Sequence, residues 1–218
     1  MSNYMPRYTL AEERFNMVSH IVGGGLGIVA LLFCVIVAAY NQHIWGVAGG
    51  IVYGFSVVLM FTMSSLYHGL RVGLSKRVFR ILDHCTIYVL IAGTYTPILL
   101  GRFREVYPTD AWIIFSIIWG IAAVGILLNA INLRKFLKIS VAIYLIMGWL
   151  MVFRINRLVS VLGLPFFILI LSGGILYTIG VIFYAMGKSK KYMHSVFHIF
   201  VVAASIIHSV AIATFIMP

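Results

Sequence analysis

The chain has 218 residues, 62% of them hydrophobic and 10% charged, with a mean hydropathy of +1.07. A soluble domain carries roughly 25% charged residues, so a water-soluble globule is excluded. Sixteen Lys and Arg against five Asp and Glu leave a formal charge of +11; in a membrane protein such an excess reports orientation before it reports a nucleic-acid partner, because basic residues gather in cytoplasmic loops.

Residues 1–16 read as a cytoplasmic amino-terminal segment, retained because the apolar stretch after it is too long for a signal-peptide core. Thr9 with Glu12 three residues on fits a capping box, which predicts a short interfacial helix running into the first span. A bilayer core of ~30 Å takes ~20 apolar residues per helix. The rest of the chain, 17–218, accordingly reads as one all-α domain, a seven-transmembrane helix bundle. Its spans lie near residues 17–40, 44–68, 82–101, 111–129, 137–153, 164–186 and 194–216.

Gly23 and Gly27 on the first span, and Gly46, Gly50 and Gly54 on the second, recur every four residues and predict closely packed helices. Pro97, within Gly93-Thr94-Tyr95-Thr96-Pro97, is expected to kink the third span, its neighbouring hydroxyls satisfying freed backbone groups. Pro165 suits the first turn of the sixth. Cys34 and Cys85 fall near opposite faces, too far apart for a bridge.

Seven spans put the two ends on opposite sides, and the loop cations then divide twelve to four. Arg7, Arg14, Arg71, Lys76, Arg77, Arg80, Arg134, Lys135, Lys138, Lys188, Lys190 and Lys191 fall on one side; Arg102, Arg104, Arg154 and Arg157 fall on the other. The split puts the amino terminus in the cytoplasm and Pro218 outside, and it removes the case for nucleic acid.

Ionisable residues within a membrane are costly and usually face a bundle interior or a wet cavity. On this topology His68 ends the second span, Asp83 begins the third, and His194 and His198 begin the seventh, all at one membrane level on the cytoplasmic side. Residues 194 and 198 lie ~40° apart around a helix and ~6 Å along it, so both imidazoles can address one ion. His68 supplies a third nitrogen, the ligand set of a zinc site that keeps a position open for water or substrate. Asp83, read as the only carboxylate within a span, would orient or deprotonate that water, and Ser64, one turn before His68, would hydrogen-bond the water, the metal or an oxyanion.

Blander readings stand beside these. His194 and His198 beside Lys190 and Lys191 can simply be solvated, Ser64 can bond its own helix backbone, and Asp83 can pair with Arg80 or Arg77. His208 lies ~15 Å deeper than His198 and is expected to bond within the bundle. His84 points ~100° away from Asp83, His20 is either a donor behind the ligands or interfacial, and His43 sits in an outer turn.

These residues carry a resemblance covering nearly the whole chain. Glu13 with Asn16, Ser19-His20 and Gly23, then Ser64-Ser65-Leu66-Tyr67-His68, then Asp83-His84-Cys85-Thr86-Ile87-Tyr88 through Pro97, then Met147-Gly148-Trp149, then His194-Ser195-Val196-Phe197-His198 resemble the bacterial hemolysin III family. That family is related to the progestin and adipoQ receptors and, more distantly, to alkaline ceramidases. The resemblance implies zinc on His68, His194 and His198, an acid at Asp83 and a motif serine at Ser64. It implies a multi-pass protein of the bacterial inner membrane, with three activities in view: cytolysis from the family name, signalling from the receptors, and zinc-dependent hydrolysis of a lipid amide from the ceramidases.

A chain with neither signal peptide nor soluble form sits poorly with a secreted pore former. The expectation is therefore a part in membrane-lipid homeostasis, as a lipid amidase with a membrane lipid as substrate or ligand. A receptor or regulator with a structural zinc is the alternative. Oligomeric state has no signal in the sequence.

Overall fold

The computed structural model describes residues 8–217, and all its regular elements there are helical. Residues 1–7 of the expected amino-terminal segment, and Pro218, lie outside the described residues. The elements are α1 (Leu10–Tyr40), α2 (Ile44–Gly69), α3 (Leu74–Ile98), a π-helical turn (Leu99–Phe103), a single turn α4 (Arg104–Val106), α5 (Pro108–Trp149), a 3₁₀ turn (Leu150–Arg154), α6 (Ile155–Met186) and α7 (Met193–Phe215). Five helical stretches are long and apolar enough to cross a membrane: Leu10–Tyr40, Ile44–Gly69, Leu74–Val106, Pro108–Met186 and Met193–Phe215.

The capping box is present: Glu12 N donates to Thr9 Oγ1 at 3.2 Å and Thr9 N donates to Glu12 Oε2 at 2.8 Å. It starts α1 at Leu10, and the helix runs unbroken into the first apolar stretch. α3 begins at Leu74, eight residues before the expected start of its span, so Asp83 lies in its third turn. Past Pro97 the helix does not end but widens into the π turn, with Gly101 non-helical at φ −79° and ψ −124°. Thr94 and Thr96 donate their hydroxyls to the Leu90 and Ala92 carbonyls.

Two further breaks are held by specific chemistry. Asn132, at φ −159° and ψ 85°, interrupts α5. On either side of that corner Ser140 Oγ donates to Asn129 Oδ1 at 2.6 Å and Asn129 Nδ2 donates to Tyr144 Oη at 3.2 Å. Tyr144 in turn donates to the His84 carbonyl of α3 at 2.7 Å. The second break, in α6, is Gly163 at φ +79°, a backbone state that favours glycine. Pro165 sits in the turn that resumes the helix.

α1 packs on α2 and α7, α2 on α3, α3 on α5, and α6 on α7, so the helices ring a central space. Close approach rests on glycine where backbone meets backbone: a Cβ on Gly54 would lie 2.7 Å from Leu31 Cα, and one on Gly49 would lie 2.7 Å from Pro97 Cα. The α1–α2 part fulfils the packing expected of the glycine stripes. Ile21, Val29 and Ile36 of α1 point outward and are more than half exposed, as an apolar solvent around the bundle requires. Cys34 and Cys85 are buried free thiols.

Candidate metal centre

The ends of four helices meet at one end of the bundle, each placed by a local device. α2 stops after Gly69 because Leu70 turns extended. Its last carbonyls are capped by the buried Lys76 ammonium of α3, which donates to Leu70 O at 3.1 Å and His68 O at 3.4 Å. α7 starts after Tyr192, held at φ +62°. Tyr192 N donates to Glu12 Oε1 at 2.6 Å, so the carboxylate that caps α1 also pins the start of α7.

This places His68, in the last turn of α2, against His194 and His198, in the first two turns of α7. All three are buried, with ligand-capable atoms within 4.8 Å of one another. The Nε2 atoms of His194 and His198 face each other at 3.2 Å. Two nitrogens bound tetrahedrally at 2.0–2.1 Å stand roughly 3.3 Å apart, so the pair already has the separation of two ligands on one ion. Nε2 of His68 is buried with no hydrogen-bond partner among the described residues, which leaves its lone pair for the same ion. These three residues fit a metal.

Ser64 and Asp83 face a cavity of about 220 Å³ that also takes in His194 and His198 at its polar end. Away from them the cavity runs between α3, α5, α6 and α7 along an apolar wall that includes Leu90, Ile98, Leu158, Phe167 and Ile170. Arg80 lines the polar end as well. Tyr8 covers the histidines, its ring stacked on His194 at 4.7 Å and 16°. Burial holds the Tyr8 phenol above its ordinary pKa, hence neutral.

Asp83 is not the only carboxylate that reaches the site from a helix. Glu13 of α1 reaches across to α2 and α3: its Oε2 lies 2.6 Å from His68 Nδ1 and its Oε1 2.9 Å from Lys76 Nζ. The helix predicted from the capping box starts at Leu10 and carries Glu13 in its first turns, which brings Glu13 into the site. The sequence carried a signal: residues 13, 16 and 20 follow the three- and four-residue spacing of one helix face, and Asn16 and His20 are both buried on it.

His20 lies behind the ligands. It is 2% exposed and stacks on the His198 ring at 3.8 Å. His84 lines the same cavity as Asp83. His208 is deep in that cavity and does not join the cluster, its Nε2 lying 3.1 Å from the Ile170 carbonyl. His43 is at the opposite end of α2, 3.8 Å from Glu105.

The fold and the cluster define an all-helical, multi-pass membrane protein with a buried three-histidine centre able to hold a metal ion. The profile of the family described as Haemolysin-III related matches residues 8–209. The chain is 37% identical over 198 residues to the Hemolysin-3 homolog of Bacillus subtilis, covering 91% of each chain. It is 37% identical over 220 residues to Hemolysin-3 of Bacillus cereus, covering 100% of this chain and 99% of that one. A more distant likeness, 25% over 211 residues, is to the monocyte to macrophage differentiation factor of Homo sapiens, covering 94% of this chain and 84% of that protein. No solved structure gives a significant match. The chain belongs to the hemolysin III family.

Proposed function

We propose that the protein is a seven-span protein of the bacterial inner membrane, with its amino end in the cytoplasm. We further propose that His68, His194 and His198 hold zinc and that it hydrolyses a lipid amide in membrane-lipid homeostasis. The span count rests on length. As one straight helix the 79 residues from Pro108 to Met186 would run about 120 Å at 1.5 Å per residue, against a hydrocarbon core of about 30 Å. Breaks at Asn132 and Gly163 divide that stretch into three crossings, which with the other four make seven.

The observation that carries the catalytic reading is the shape of the cavity. Ser64, Arg80, Asp83, His194 and His198 collect at one end, and the wall beyond them is mostly apolar, with Thr94, Thr178 and His208 among its few polar members, which suits a polar linkage at one end of a hydrocarbon chain. Zinc, when bound, supplies a Lewis acid that polarises a carbonyl and lowers the pKa of water. Asp83 accepts the proton of the attacking water and returns it to the amide nitrogen as the C–N bond breaks, releasing the fatty acid and the amine, and Ser64 Oγ donates to the developing oxyanion. The apolar wall holds the chain and excludes bulk water from the reacting end.

A receptor or regulator with a structural zinc is the second reading, favoured by the burial of all three histidines beneath Tyr8. Pure zinc-loaded protein, incubated with a panel of bacterial lipid amides and followed by mass spectrometry, separates the two: the hydrolase yields free fatty acid, the regulator none. Zinc content should be close to one per chain, lost on changing His68, His194 or His198 to Ala and kept in His208→Ala. Equal loss from His208→Ala removes the ligand assignment.

A further inference from the structure

We propose that Glu13, held by Lys76, is the positioning residue for the metal ligand His68: it fixes the imidazole in the tautomer that presents Nε2 to the ion. The proposal rests on the metal reading of the three histidines.

The geometry is specific. Glu13 is an acceptor, so the 2.6 Å contact requires His68 Nδ1 to carry the hydrogen and donate it to Oε2. A neutral imidazole has one N–H, so Nε2 is then the lone-pair nitrogen. That nitrogen is the one buried without a partner among the described residues. The second oxygen of Glu13 is occupied by Lys76 Nζ at 2.9 Å, and Lys76 is itself anchored by the two terminal carbonyls of α2. The chain of contacts therefore closes on itself: Lys76 grips the end of the helix that carries His68 and grips the carboxylate that orients the His68 ring.

Three further features exclude a mere surface ion pair. The Lys76 side chain is 4% exposed and that of His68 is fully buried, while Glu13 is 17% exposed. A buried ammonium is costly unless paired and hydrogen-bonded, and Lys76 has three partners in reach. The residues come from three different helices, so the contact does nothing to form any one of them. Finally, His194 and His198 have no such carboxylate partner among the described residues: His194 stacks on Tyr8, His198 on His20. His68 is also the only ligand of the three on α2, so its orientation cannot be set by its neighbour on the same helix, as the i, i+4 pair on α7 sets its own. A carboxylate on the far nitrogen of a ligand imidazole fixes its ring and raises its basicity, and losing such a partner typically costs roughly 10- to 100-fold in metal affinity.

The test uses the full-length protein in detergent, titrated with zinc against a competing chelator, with thermal unfolding of the zinc-free and zinc-loaded forms measured alongside. Glu13→Gln should weaken zinc binding roughly 10- to 100-fold and shrink the zinc-induced rise in Tm, with little change in the zinc-free Tm. Asp110→Asn, which breaks a carboxylate–cation cluster at the other end of the bundle, should leave zinc affinity at the wild-type value. A purely structural role for Glu13 predicts the reverse: a lower zinc-free Tm with unchanged zinc affinity. That result overturns the proposal. If Glu13→Gln does not fold, Lys76→Met decides, since it leaves the carboxylate but frees its second oxygen; several-fold weaker zinc binding is expected, and wild-type affinity overturns the arrangement. Failure of wild-type protein to bind zinc defeats the metal reading itself, a distinct result from wild-type and Glu13→Gln proteins binding it equally.

Discussion

At the scale of single residues, the two carboxylates near the histidines have different surroundings and different expected roles. Glu13 is engaged by a ring nitrogen and an ammonium. Asp83 faces open cavity beside Ser64 and Arg80, where a substrate and its water would lie. If Asp83 is the proton acceptor, Asp83→Asn keeps the fold and most of the zinc, because the amide is nearly isosteric, and lowers turnover roughly 10²- to 10⁴-fold. If it is instead an ion-pair partner of Arg80, the same change lowers Tm, and Arg80→Gln reproduces that loss. Zinc content, Tm and turnover on both variants discriminate the roles; normal turnover in Asp83→Asn eliminates the base.

The depth argument from sequence brought His68, Asp83, His194 and His198 to one level, with Ser64 one turn before His68. The structure brings the three histidines together and turns Ser64 and Asp83 to the cavity beside them. Glu13 was legible only as part of a motif. Its role depends on which face α1 turns to α2: the glycine spacing predicted close packing but did not pair residue 13 with residue 68.

At the scale of elements, the joints of α5 and α6 decide the path of the chain, and each has a named cause. In α5 the buried Ser140–Asn129–Tyr144–His84 chain ties both halves of the helix to α3 across the Asn132 corner. Asn129 and Ser140 are fully buried, and polar groups in an apolar surround need partners. Ser140→Ala removes one partner and leaves Asn129 Oδ1 unsatisfied. It should cost about 1 kcal/mol, within the range of interhelical hydrogen bonds in membranes, read as a lower Tm with zinc still bound. Unchanged stability would mean that the corner is held by apolar packing alone. In α6, Gly163 supplies the positive φ and Pro165 the restart; a span starting near residue 164 with Pro165 in its first turn was readable in the sequence, whereas the positive φ of Gly163 was not.

At the scale of the whole molecule, the twelve-to-four division of loop cations and the seven crossings proposed for the chain make a joint claim about orientation. On that proposal the histidine end of the bundle, with Lys76, Arg80 and Lys191 near it, would face the cytoplasm. Reporter fusions after Lys191 should read cytoplasm and fusions after Pro218 the outside. The opposite pattern defeats both the charge argument and the depth assignment built on it.

The sequence by itself determined that this is an apolar helical protein for a bilayer. It also determined where the first helix starts, after Thr9, that the third is distorted near Pro97, and which residues sit at one end of the helices. These are local matters, governed by hydropathy over some twenty residues, by capping and by proline, and they read directly along the chain. Only the tertiary structure decided which faces meet. In a helix apolar all round, hydropathy carries little information about rotation, so Glu13 on His68, His20 on His198 and Tyr8 over His194 followed from the packing of α1 against α2 and α7. The cavity has the same origin: it belongs to no single helix but to the space left where α3, α5, α6 and α7 fail to close on one another.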